Sequence, residues 1–263
     1  MNWSMQLYTA RDFQPWDTVL STLARDGYKR VEGFGGVYAD PAGLRAKLDE
    51  NGLSMPTGHF SLDMLENDFD QAKRIADTLG VKRIICPYIV AEERPGDAAG
   101  WRAFGERLAK VGARINAAGY GFAWHNHDFE FRKLADGSLP ISLILDAAPE
   151  LGLEFDVAWA IRGGDASPWP WSITRPAGGD DNRWPWFEKY RDRIVAVHVK
   201  DMARPGEGLD EDGWSDVGHG VIDWKALMKL LRTTPAEYYV LEQDKPNDFA
   251  RFSRRSIAAA NAF

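Results

Sequence analysis

Short runs rich in β-branched and aromatic residues alternate along the chain with longer stretches whose apolar positions recur every three or four residues. The β-type runs are Met5–Tyr8, Arg30–Phe34, Ser54–His59, Arg83–Cys86, Gly121–His127, Leu153–Val157, Ile194–Lys200 and Tyr239–Gln243. Several are almost wholly apolar, the pattern of parallel strands covered on both faces. The helical stretches carry their own punctuation. Asp40-Pro41 is an N-cap followed by proline at the first helical position, with Leu44 and Leu48 on one face and Gly52 after them. Phe69, Ala72, Ile75, Ala76 and Leu79 form a second apolar face ended by Gly80, and Phe104, Leu108, Val111 and Ile115 a third ended by Gly119. Asp223 caps a helix carrying Leu227, Leu230 and Leu231, and a last helix runs from about Asp248.

Strict alternation of strand and helix predicts a parallel sheet, because parallel strands need crossover connections. Eight such units within 263 residues favour a closed (β/α)8 TIM barrel over an open doubly wound sheet. No Pro/Ser-rich linker or long charge run divides the chain, which predicts one domain over 1–263. Neither a G-x-G-x-x-G nor a G-x-x-x-x-G-K-[ST] pattern follows a strand. The segment 162–186 breaks the rhythm. It is too long for an ordinary βα connection and holds Trp169, Trp171, Trp184 and Trp186. A lid or substrate wall and a subunit contact are equally good readings of it.

Composition narrows the function. A formal net charge of −7 argues against a nucleic-acid partner, whose phosphates call for the opposite sign. The single cysteine, Cys86, excludes an intrachain disulfide framework and cysteine-cluster metal sites. The first ten residues do not read as a signal peptide and no stretch is long and apolar enough to span a membrane, so a cytoplasmic location is expected. Eleven tryptophans suit sugar C–H faces, but equally a core or a contact between copies in a homo-oligomer.

Barrel active sites lie at the C-terminal ends of the strands. His59 ends the third run there, His125 and His127 the fifth, Asp156 the sixth, His198 the seventh with Lys200 beyond it, and Glu242 the eighth. Residues two apart share a face, so His125 pairs with His127 and His198 with Lys200. A lone strand-end His or Asp is usually a hydrogen-bonded loop residue. Strands five to eight are neighbours, however, and each offers a nitrogen or oxygen ligand to one side of the mouth. Mixed imidazole and carboxylate ligands suit Mn, Co, Zn or Fe better than Ca.

The motifs His125-Asn126-His127-Asp128-Phe129-Glu130-Phe131, Phe155-Asp156-Val157-Ala158-Trp159, Val197-His198-Val199-Lys200-Asp201, Asp216–Trp224 and Val240-Leu241-Glu242-Gln243-Asp244 resemble the xylose isomerase-like TIM barrel superfamily, in particular its sugar phosphate isomerase/epimerase group. The resemblance runs over nearly the whole chain. It implies a divalent metal (Mn, Co, Zn, Mg or Fe) held by Glu, Asp, His and Glu from strands five to eight. The last three carry over to Asp156, His198 and Glu242, and the place of the first Glu is taken by His125, with Glu130 as an alternative carboxylate. The His-x-His pattern is similar to that of inosose dehydratases and keto-glycoside lyases. The resemblance further implies removal of a proton α to the carbonyl of a keto sugar or cyclitol through a metal-stabilised enediolate. His127 or Glu242 would act as base and Lys200 would neutralise oxyanion charge, its alternative being a surface salt bridge with Asp201. An imidazole near its ordinary value of about 6.5 suits base catalysis at neutral pH. Glu32, His59, Trp16 and Trp159 are expected to bind substrate, and His219 to be structural. Dehydration or glycoside cleavage shares the same first step. A DNA-repair endonuclease is disfavoured by five histidines and the acidic charge, and a sugar-binding barrel without turnover remains a third reading.

Overall fold

The computed structural model describes residues 3–164 and 185–263. Eight parallel strands close into a barrel: β1 (Ser4–Gln6), β2 (Arg30–Gly33), β3 (Ser54–His59), β4 (Arg83–Cys86), β5 (Gly121–His125), β6 (Gly152–Asp156), β7 (Ile194–Val199) and β8 (Tyr238–Leu241). Each strand pairs with its neighbours in sequence, and β8 closes on β1 through Ser4 opposite Val240. The (β/α)8 barrel expected from the alternation is the fold. Several strands end one or two residues before their apolar runs do. The chain turns there into loops whose backbone groups bond elsewhere, as when Asp156 leaves β6 and accepts from Trp159 N at 2.8 Å to cap the next helix.

The helix signals hold at residue level. Asp40 accepts from Gly43 N at 2.9 Å, Asp223 from Ala226 N at 3.0 Å and Asp248 from Arg251 N at 2.9 Å. Gly80 ends its helix with φ +79°, a left-handed conformation that costs glycine little. Leu44, Leu48, Ala72, Ile75, Leu79, Leu108 and Ile115 are buried in the layer between helices and barrel. Among the described residues no helix is long and apolar enough to cross a membrane.

The unusual connections lie after β6 and β7. Of the segment expected to form a lid or subunit contact, residues 165–184, with Trp169, Trp171 and Trp184, lie outside the described residues. Trp186 is core: its ring packs against Phe131 at 5.2 Å and Phe155 at 5.7 Å. After β7 the chain makes an excursion that the hydrophobic pattern does not announce, a short antiparallel pair of Asp201–Met202 with Trp214–Ser215. Asp201 anchors it by accepting backbone N–H bonds from Met202, Gly218, Gly220 and Ile222. Exposed His219 lies in the turn so formed, with no chemical role indicated by its surroundings.

Candidate metal centre

Register brings the strand-end residues together. Asp156 of β6 pairs with His198 of β7, His198 with Val240 of β8, and His125 of β5 with Glu154 of β6. The side chains that point inward from these positions form two tiers. In the upper one, a ligand atom from each of His125, Asp156, His198 and Glu242 lies within 4.8 Å of the others, and all four residues are buried. These are the four residues that the family resemblance implies as ligands. The lower tier, by the same measure, is His59, His125, Glu154 and His198.

His198 joins the tiers. Its Nδ1 lies 2.8 Å from Glu242 Oε2 and 3.9 Å from Asp156 Oδ2. Its Nε2 faces down, 2.7 Å from Glu32 Oε1 and 3.1 Å from Glu154 Oε2. The surrounding carboxylates hold the ring protonated well above the ordinary imidazole range; with Nε2–H kept by Glu32, a metal would displace the Nδ1 proton and bind there. Glu154 also meets His59 Nε2 at 2.7 Å, and Gln6 Nε2 donates to Glu32 Oε1 at 2.7 Å. Glu32, expected among the substrate-binding residues, is thus fully buried beneath the site and does not line the cavity. Glu154 escapes a search of strand ends because it stands two residues before one. The period of two that unites His125 with His127 also places Glu154 on the face of Asp156.

The cluster fits a divalent cation. His125 Nδ1 and Asp156 Oδ2 are buried without a well-aligned hydrogen bond, their nearest polar neighbours being Glu154 Oε2 at 3.2 Å and Lys200 Nζ at 3.3 Å. Buried Glu32, Glu154, Asp156 and Glu242, with half-buried Asp244, crowd around Lys200 and the histidines, a concentration of oxygen and nitrogen donors in which a divalent ion could take the place of the ring protons. Burial holds His125 well below the ordinary imidazole range, in the neutral state a ligand requires. Glu130, the alternative carboxylate, belongs to neither tier. It is fully buried and accepts from Trp124 Nε1 and His127 N, both at 2.9 Å, bracing the loop after β5.

Three expectations are corrected by the geometry. Lys200 is sealed inside: its Nζ lies 2.7 Å from Asp244 Oδ2, 2.8 Å from Glu242 Oε2 and 3.3 Å from Asp156 Oδ2, and about 5 Å from the ring centres of Trp159 and Trp214, which meet each other edge-on. It neither pairs with Asp201 nor lines the cavity, and its contacts are with carboxylates. Trp16 packs against Phe34 at 6.2 Å from the first turn of its helix, and Phe34 is the ring that faces the cavity. His127 does line it, but burial, with Lys200 nearby, pushes its imidazole down to about 3. His127 is therefore neutral at pH 7 but weaker as a base than an ordinary imidazole. His59, Trp159 and Glu242 line the cavity as expected.

The lower tier makes stability depend on pH. Burial opposes a charged His59, but the carboxylates of Glu32 and Glu154 outweigh it and raise the ring to about 9. A histidine raised in this way stabilises the folded state fully below its unfolded value of about 6.5, and the contribution is lost as pH rises through about 9. Chelator-treated wild type is therefore expected to lose thermal stability across that window more steeply than His59→Gln protein. Parallel melting-temperature curves for the two would rule out a charged His59.

The comparisons with known proteins agree with this architecture. The chain is 24% identical over 291 residues to the rhizopine catabolism protein MocC of Rhizobium meliloti, covering 93% of this chain and 81% of that protein. A sugar phosphate isomerase/epimerase from Parabacteroides distasonis superposes with a TM-score of 0.74 at 19% identity, over 99% of this chain and 93% of the other. The IOLI protein with a bound zinc atom superposes at 0.69 with 14% identity, over 100% and 96% of the two chains. The probable 3-DHS dehydratase AsbF of Bacillus anthracis does so at 0.70 with 12% identity, over 99% of each. These structural likenesses speak for the fold. Residues 20–260 match the family model described as xylose isomerase-like TIM barrel, a span that takes in seven of the eight strands and every residue of both tiers, and the chain belongs to that family.

Proposed function

We propose that this protein is a divalent-metal-dependent isomerase or epimerase that removes a proton α to the carbonyl of a keto sugar or cyclitol. The observation that carries this is the buried convergence of His125, Asp156, His198 and Glu242 within 4.8 Å, at the end of the barrel where catalytic groups gather. A bound divalent ion would supply Lewis-acid stabilisation of the negative charge that grows on the substrate oxygens as the proton leaves. The chain's own residues do the rest. Glu242 and His127 face the cavity and are the groups placed to take and return the proton. Glu242 is held well below the usual carboxylate range because Lys200 and His198 outweigh the effect of its burial, so it is ionised across the neutral range. His59, beside His125 and His198, closes the floor of the cavity, and Trp159 offers an apolar face to a sugar.

Support from relatives is of the same grain: MocC belongs to a catabolic route by name, and neighbours of the fold include an isomerase/epimerase and a probable dehydratase. Elimination shares the first proton transfer, so dehydratase or lyase chemistry is the second reading. The test is wild-type protein supplied in turn with Mn, Co, Zn and Mg, assayed for metal content by elemental analysis and for exchange of the α-protons of keto sugars and inososes into D2O by NMR. About one ion per chain together with metal-dependent exchange is expected. Protein that takes up none of the four would overturn the metal reading, and metal without exchange would leave a sugar-binding barrel.

A further inference from the structure

Between the two histidines at the end of β5 stands Asn126, a residue to which the proposed chemistry gives no part. Its side chain is fully buried. The carboxamide bonds in both directions to the backbone of one residue on the next strand: Oδ1 accepts from Asp156 N and Nδ2 donates to Asp156 O, each at 3.0 Å. These partners fix the orientation of the amide, since the atom facing an N–H must accept and the atom facing a carbonyl must donate.

The last backbone pairing between β5 and β6 is His125 with Glu154. Beyond it the chain leaves β5, and the carboxamide of Asn126 takes the place of a peptide group, carrying the ladder on to Asp156. On the other side Asp156 pairs with His198 of β7; on the β5 side the tie is Asn126. The two segments meet again further along. A Cβ on Gly163, at the end of the helix Val157–Gly163, would run into Asp128 O, so the loop after β5 and the helix after β6 are packed without room for a methyl group.

Asp156 is thereby held at every polar atom but one. Its N and O are bonded to Asn126, and its Oδ1 accepts from Trp159 N at 2.8 Å. Oδ2 is left without a well-aligned hydrogen bond, facing Lys200 Nζ at 3.3 Å and His198 Nδ1 at 3.9 Å. The side chain cannot swing away without breaking the bond to Trp159, and the backbone cannot shift without breaking the pair to Asn126.

We infer that Asn126 is a positioning residue of the metal centre: its carboxamide fixes Asp156 from the β5 side, so that Oδ2 is presented to an ion shared with His125 of the same strand end. The inference rests on the metal reading proposed above and deepens it, because one residue between two histidines sets the place of a ligand 30 positions away. Removing the carboxamide takes no donor atom from the ion; it frees the backbone that carries one, and leaves Asp156 N and O without the partner that holds them.

The test is titration of chelator-treated wild type, Asn126→Ala and Asn126→Ser with cobalt(II) alone. Leu48→Ala serves as the comparison, removing a core side chain of the helix Pro41–Glu50 that belongs to neither tier. Affinity is read by competition with a chelating dye, and ligand geometry from the visible band of bound cobalt at saturation. Both Asn126 variants are expected to bind roughly 10–100-fold more weakly than wild type and to show a changed band. Leu48→Ala is expected to melt at a lower temperature and keep both the affinity and the band. Asn126→Ser is the milder change, because a hydroxyl can bond Asp156 N or O but not both, and it answers the question should Asn126→Ala fail to fold. Unchanged affinity, an unchanged band, or the same losses in Leu48→Ala would each overturn the inference. Wild type that takes up no cobalt overturns the metal reading and this inference with it; wild type that binds cobalt beside unaffected Asn126 variants overturns this inference alone.

Discussion

His198→Ala protein, purified beside wild type and given the same excess of divalent ion, is expected to retain no metal on elemental analysis. The loss should exceed the roughly 10–100-fold that removal of an outer-shell partner costs, because His198 takes part in both tiers and its Nδ1 is the nitrogen turned toward Asp156 and Glu242. Glu32→Gln protein supplies the graded control. Glutamine keeps an oxygen that can accept from His198 Nε2, which Glu32 Oε1 meets at 2.7 Å, but removes the buried charge. Its affinity, read by competition with a chelator, should fall within that smaller range. Two variants with wild-type affinity would mean that the cluster is a hydrogen-bonded plug and no metal centre.

The second large effect is on stability. Lys200 is fully buried, with Asp156, Glu242 and Asp244 around its ammonium. Lys200→Met keeps an apolar stem beside Trp159 and Trp214 but removes the ammonium shared by three carboxylates. Breaking a buried ion pair from one side costs roughly 3–5 kcal/mol, which for a chain of this size lowers the melting temperature by about 10 °C. In the presence of Mn or Zn part of that loss should return, since an ion held by Asp156 and Glu242 restores positive charge and binds the folded state selectively. Thermal unfolding with and without chelator checks both statements. A lysine that contacted substrate would behave differently, losing turnover with little change in metal-free melting, and a metal-free variant as stable as wild type would remove Lys200 from the structural role given to it here.

Both predictions turn on a contrast between what one chain segment reveals and what several must combine to make. The barrel was legible because its signals are local. A strand covered on both faces reads as an apolar run, a helix as a 3.6-residue face, and its ends as Asp caps and glycines; Asp40, Asp223, Asp248 and Gly80 each do what their positions suggest. The upper tier was legible for a related reason. In a closed barrel the strand ends converge by topology, so His125, Asp156, His198 and Glu242 meet once the strands are in order.

The order of the elements and the strand ends at which His125, Asp156, His198 and Glu242 stand were therefore properties of the sequence alone: periodicity and end signals depend on nearest neighbours along the chain. The tertiary structure alone decided three things. It turned Lys200 inward to three carboxylates rather than outward to Asp201. It set Glu32 and Glu154 beneath His198 as a charged floor. It also brought Tyr8, Phe34, Tyr88 and Phe129, from loops after four different strands, into the lining of one cavity. In each case the partners lie far apart in sequence, and register and loop placement determine whether they meet. Residue type alone carries no such information, because the same lysine, glutamate or tyrosine would be ordinary on a solvated surface.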